Sequence, residues 1–118
     1  MGTLTYGART VGFDDRLLIH LQVVIVQRFR RGDGFVMSWI KPVTAGSGRT
    51  SVWMTPTLPV SFDFDGSRSP SIDGAWLARL SDSAASARGL VVTNEDGSLA
   101  RSNHTPRDTD SPHRPIGA

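Results

Sequence analysis

The 118-residue chain has no cysteine, a single lysine (Lys41), a single tyrosine (Tyr6) and no apolar run longer than four residues, as in Val23 to Val26. Without cysteine there is no disulfide frame, no thiolate nucleophile and no Cys-bound zinc, so cohesion must come from apolar burial. A four-residue run falls far short of the roughly 20 apolar residues that a spanning helix needs. The N-terminus Met1-Gly2-Thr3-Leu4-Thr5-Tyr6 has neither the basic start nor the apolar stretch of a secretion signal. These absences predict a soluble, cytoplasmic protein with no membrane partner. Charge of one sign is also scarce: 13 Lys and Arg against 11 Asp and Glu leave +2, so any electrostatic role must be local.

Of the 45 apolar residues, 41 fall within residues 1–96, enough for one modest domain. Residues 97–118 hold only Leu99, Ala100, Ile116 and Ala118, beside three prolines and many Ser, Thr, Asp and Arg. On composition they cannot offset their ordering entropy, and the reading is one domain over 1–96 followed by a disordered tail over 97–118. The basic excess belongs to the first third, where residues 1–31 carry five Arg and two Asp, whereas residues 32–96 carry five cations and seven acids.

Two segments carry helical spacing. Leu17, Leu21 and Val24 with Leu18, Ile25 and Phe29 make an apolar stripe between Asp14 and Arg31, with Asp14 or Asp15 as the cap and Gly32 as the stop. Arg28, Arg30 and Arg31 complement the helix dipole there. Trp76, Leu77, Leu80 and Ala84 predict a second helix from Ser71 or Asp73 to Arg88, with Gly89 beyond its end. Alternation predicts strands over 35–40, 50–55 and 60–65, an opening hairpin through Gly7, and a closing strand over 90–93. Pro56 and Pro59 interrupt the ladder before Val60. The order β-β-α-β-β-β-α-β, with short connections, predicts an α+β fold: a small, mostly antiparallel sheet with two helices on one face.

No motif for chemistry is complete. Gly46-Ser47-Gly48-Arg49-Thr50 has the residue types of a phosphate loop but no lysine and no following helix, so a plain hairpin connection accounts for it. Asp63, Asp65 and Asp73 do not fit calcium-loop spacing, and no metal is expected. His20 sits mid-helix without a Gly-x-Ser-x-Gly elbow, which favours a packing role. Asp14 and Asp15 read as helix-start residues before they read as a carboxylate pair. Arg28, Arg30 and Arg31, then Arg49, are the candidate nucleic-acid contacts, with Trp39 and Trp53 on neighbouring strands as candidate stacking rings; burial of those rings in a small core is the competing reading.

Phe13-Asp14-Asp15-Arg16, His20-Leu21, Arg30-Arg31-Gly32, Ser38-Trp39 and Gly46-Ser47-Gly48-Arg49, followed by Val52-Trp53, Pro56 and Pro59, together resemble a family of short actinobacterial proteins often labelled "ATP-dependent DNA ligase". The resemblance covers about residues 1–93. It implies association with DNA-end transactions, and the twelve-to-one ratio of Arg to Lys suits such a source. Thr55 stands where that family is expected to carry a histidine. Ligases of this kind form a lysyl-AMP on the lysine of Lys-x-Asp-Gly. Here Lys41 precedes Pro42-Val43-Thr44, and Ser71-Ile72-Asp73-Gly74 has serine at the lysine position.

The reading is therefore a non-catalytic small domain that binds nucleic acid or a DNA-processing partner and needs no cofactor. Ligase-like nucleotidyl transfer on Lys41 is the alternative, and a homo-oligomeric module joined through a strand edge is the second.

Overall fold

The computed structural model describes residues 1–46 and 48–103. Its elements follow the predicted order: β1 (Gly2–Tyr6), β2 (Arg9–Phe13), α1 (Asp15–Arg30), β3 (Phe35–Ile40), a 3₁₀ turn (Val43–Ala45), β4 (Arg49–Met54), β5 (Val60–Asp63), α2 (Gly74–Ala85) and β6 (Leu90–Val91). The fold is α+β, and no described helix is long and apolar enough to cross a membrane.

Helix α1 begins where the Asp14 carboxylate accepts the Arg16 N–H at 3.2 Å. Its buried stripe is Leu17, Leu18, Leu21, Val24 and Ile25, so capping and tertiary burial override the strand propensity of Val23–Val26. Helix α2 begins likewise, with Asp73 accepting the Trp76 N–H at 2.9 Å, and buries Trp76, Leu80 and Ala84. It ends at Ala85, short of the predicted Arg88, so Gly89 is not its cap. Gly89, at φ +80, instead lets the chain run against β3, where a Cβ would lie 2.3 Å from the Val36 carbonyl oxygen.

The strands form two three-stranded sheets in place of the single one predicted: β2-β1-β5, all antiparallel, and β4-β3-β6, in which β6 runs parallel to β3. Pro56 and Pro59 stop β4 from continuing into β5, and the chain crosses between sheets at that point. The Tyr6 hydroxyl, accepting the Thr55 N–H at 2.6 Å, pins the crossing. Strand β5 ends at Asp63 because the next free N–H groups, those of Asp65 and Gly66, turn to the Asp15 carboxylate at 3.1 and 3.0 Å. These bonds, Gly66 before Asp65, hold the Asp15 carboxyl below its ordinary range. Leu18, Leu21, Ile25, Met37, Met54, Leu80 and Leu90 fill the core, and Phe13 meets Trp39 edge to face at 5.8 Å across the two sheets.

The domain does not end at residue 96. A turn closed by Asn94 N–H to the Ser98 carbonyl returns the chain to the body. Ala100 and Ser102 are buried and alternate with exposed Leu99 and Arg101. The Ile40 N–H donates to the Ala100 carbonyl at 2.9 Å, the Ser102 N–H to the Ile40 carbonyl at 2.9 Å, and the Asn103 N–H to the Gly12 carbonyl at 2.7 Å. The segment thus lies between β3 of one sheet and β2 of the other and joins them. Composition misses it because what holds it is mainly main-chain bonding to two open strand edges, with side chains no larger than Ala and Ser turned inward. The rest of the predicted tail, 104–118, lies outside the described residues.

Candidate nucleic-acid interface

The structure gives the two candidate rings opposite roles. Trp39 is 4% exposed and belongs to the core, whereas Trp53 is 61% exposed. Alternation along β3 and β4 explains the split. Phe35, Met37 and Trp39 face the helices, with Thr50, Val52 and Met54 paired beside them on the same side, while Val36, Ser38 and Ile40 face out with Arg49, Ser51 and Trp53. Gly34 makes room for the outward indole, since a Cβ there would lie 2.7 Å from Trp53 Cζ2.

Strand register orders that outer face into rows, because directly paired residues share a face. One row is Trp53 beside Val36, the next Ser51, Ser38 and Val91, and the third Arg49, Ile40 and Arg101. No acid stands in these rows. The third row lies about 13 Å from the first at the usual strand rise. Arg49 Nη2 donates to Ser38 Oγ at 3.2 Å, which covers that serine and holds the guanidinium on the face. Arg101 Nη1 donates to the Lys41 carbonyl at 2.7 Å. Arg101 was absent from the predicted site because it lay in the presumed tail.

The three arginines that ended α1 in the sequence do not join Arg49. Arg28 Nη2 and Arg31 Nε both approach Asp33 Oδ2, at 3.3 and 3.5 Å, so one carboxylate serves two guanidinium groups. The Arg28 Nε is buried without a hydrogen-bond partner among the described residues. Arg30 is exposed and forms no ion pair among the described residues. Arg16, one helical face away, makes a bidentate pair with Glu95 and lies over the Trp76 ring at 5.6 Å. Glu95 raises the Arg16 guanidinium further above its ordinary range.

His20 is fully buried, stacked on Trp76 at a centroid distance of 4.3 Å. Its Nδ1 lies 2.6 Å from the Arg16 carbonyl and its Nε2 accepts the Asp73 N–H at 2.9 Å. A neutral ring with its proton on Nδ1 satisfies both bonds and locks α1 to the start of α2, leaving no nitrogen for chemistry. Asp73 caps α2, and the Trp76 N–H, the strongest influence on it, holds its carboxyl low. Among the described residues no group of three or more His, Asp or Glu converges as metal ligands would. The Gly46-to-Arg49 stretch joins β3 to β4 as a hairpin connection closed by Lys41 N–H to the Gly48 carbonyl at 2.8 Å, with Ser47 outside the described residues. Lys41 lies on a cleft that no carboxylate of the described residues lines.

Residues 1–95 match the family model described as a domain of unknown function, DUF7882, and the chain belongs to that family. No curated protein and no solved structure matches the chain. The match stops before the segment 100–103 that joins the two sheets.

Proposed function

We propose that this DUF7882 member is a non-catalytic binding domain that takes single-stranded nucleic acid across the outer face of its second sheet. Trp53 offers one face to a base, while Arg49 and Arg101, on either side of Ile40, take phosphates further along the strand. The single observation that carries the reading is the 61% exposure of Trp53 on a regular strand that shares its face with two arginines and no acid. An exposed indole costs solubility and adds nothing to the core, so a stacking partner is its natural use. Of the arginines singled out in the sequence, Arg49 belongs to this contact, Arg30 has no ion pair among the described residues at the end of α1, and Arg28 and Arg31 are engaged by Asp33.

The ligase label implies nucleotidyl transfer instead. Lys41 is the only amine side chain for it, and among the described residues its cleft has no carboxylate to hold the metal that phosphoryl transfer requires. Labelled ATP is expected to leave no covalent AMP on the protein.

Titration with a fluorescent single-stranded oligonucleotide at low salt tests the main reading. Binding should quench tryptophan emission, because Trp53 is the exposed ring of the three, and Trp53→Ala should weaken binding by about tenfold or more, the usual contribution of one base–aromatic stack. Oligonucleotide affinity that Trp53→Ala leaves unchanged overturns it.

A further inference from the structure

On the opposite side of the same end of β3, between the two sheets, lies a cleft of about 220 Å³. Its walls come from β2 (Arg9), β3 and the residues after it (Trp39, Lys41), β4 (Thr50) and the joining segment (Ser102, Asn103). The cleft carries two cationic side chains and no acid, and neither Arg9 nor Lys41 belongs to an ion pair among the described residues. The Trp39 ring, 4% exposed, forms part of the inner wall. Arg and Lys only donate, and the Thr50 hydroxyl and the Asn103 amide also have protons to give. The set asks for a ligand rich in acceptors and carrying more than one negative charge.

We infer that this cleft is a phosphate-binding site, independent of the outer face, for inorganic phosphate or a small phosphate monoester. A phosphate carries about −1.5 to −2 at neutral pH and several acceptor oxygens, which suits two cations and a ring of donors better than a monovalent carboxylate does. The volume is below the roughly 300–1,000 Å³ of sites that take drug-sized ligands, which limits the occupant to the phosphate group and a small substituent. The cleft is closed by Ser102 and Asn103, so the site is complete only when the joining segment is in place. A second cleft, beside Arg28 and Arg31, already has Asp33 as its counter-charge.

The test is calorimetric titration of the full chain with inorganic phosphate, with acetate as the monovalent control. Saturable phosphate binding is expected, with Lys41→Gln and Arg9→Gln each weakening it about tenfold, the weight of one charge-assisted hydrogen bond. Lys41→Arg should retain it, and Trp53→Ala, on the other face, should leave it unchanged, which separates this site from the oligonucleotide contact. Thermal melts of the variants verify folding, and if Arg9→Gln fails to fold, the Lys41→Gln and Lys41→Arg pair decides alone. No phosphate binding at millimolar concentration, equal binding of acetate, or binding untouched by Lys41→Gln would each overturn the inference.

Discussion

At the C-terminal end of α1, Arg28 and Arg31 share the carboxylate of Asp33, whereas at the far end of β3, Arg9, Lys41, Arg49 and Arg101 meet no carboxylate among the described residues. The first group is contiguous in sequence and draws attention as a basic run. The second is drawn from four separate stretches, residues 9, 41, 49 and 101, and has no signature in the chain. Local charge density in a sequence therefore says little about field in space. An acid just beyond the run engages two of its three arginines, and strand pairing gathers isolated cations where no acid follows.

Variants that break the gathering should have the largest effects. Ala100→Asp places a carboxylate in a fully buried position of the joining segment, and its cost should be several kcal/mol, because a buried charge without a partner is among the most expensive substitutions. Chemical denaturation should show that destabilisation, and oligonucleotide binding should disappear as Arg101 leaves the outer face. Leu99→Asp, beside it but 48% exposed, should change stability by no more than about 0.5 kcal/mol. Equal effects of the two would mean that the segment does not hold the sheets together.

A smaller effect sharpens the contrast from the other side. Asp33→Asn removes the shared counter-charge from Arg28 and Arg31. Oligonucleotide affinity at low salt should rise, by about threefold or less given the modest worth of exposed pairs. An unchanged affinity would show that those arginines are silent for a reason other than Asp33.

The smallest expected effect is in acid. Asp15, Asp73 and Asp96 have carboxyl groups held below the ordinary value of 3.8 by hydrogen bonds, from Gly66 N–H, Trp76 N–H and the Ser98 hydroxyl respectively. A depressed carboxyl contributes stability that is complete above its unfolded value and is lost as pH falls through the folded one. Stability should thus be flat near neutrality and fall below about pH 4. Asp15→Asn should flatten the acid limb, and an acid limb unaltered by that variant would mean that the Asp15 clamp on Asp65 and Gly66 contributes nothing.

Much of the frame was legible in the chain. Asp14, the Leu17-Leu21-Val24 stripe and the Asp73 cap located both helices, because capping groups and 3.6-residue spacing are local signals. The alternation through Phe35, Met37 and Trp39 located β3 but left open which of its faces is the inner one, which the burial of Trp39 and the exposure of Trp53 decide. The division into two sheets was not legible, since it depends on which edges meet after Pro56 and Pro59 turn the chain. The segment 99–103 was hidden because Ala100 and Ser102 are inward-facing without being large, although their period-two alternation after the Asn94–Gly97 turn was a signal available to find it. At the candidate site, Arg49 and Trp53 were visible, but register alone places them on one face and joins Arg101 to them.

The salt dependence of oligonucleotide binding tests this account most directly. Logarithmic plots should be compared for the unaltered chain, for Arg49→Gln with Arg101→Gln, and for Arg28→Gln with Arg31→Gln. The account predicts that the first pair lowers the slope by about 1.4, or about 0.7 for each phosphate no longer neutralised, and that the second leaves it unchanged. A slope reduced by the α1 pair and untouched by the Arg49 and Arg101 pair would contradict it.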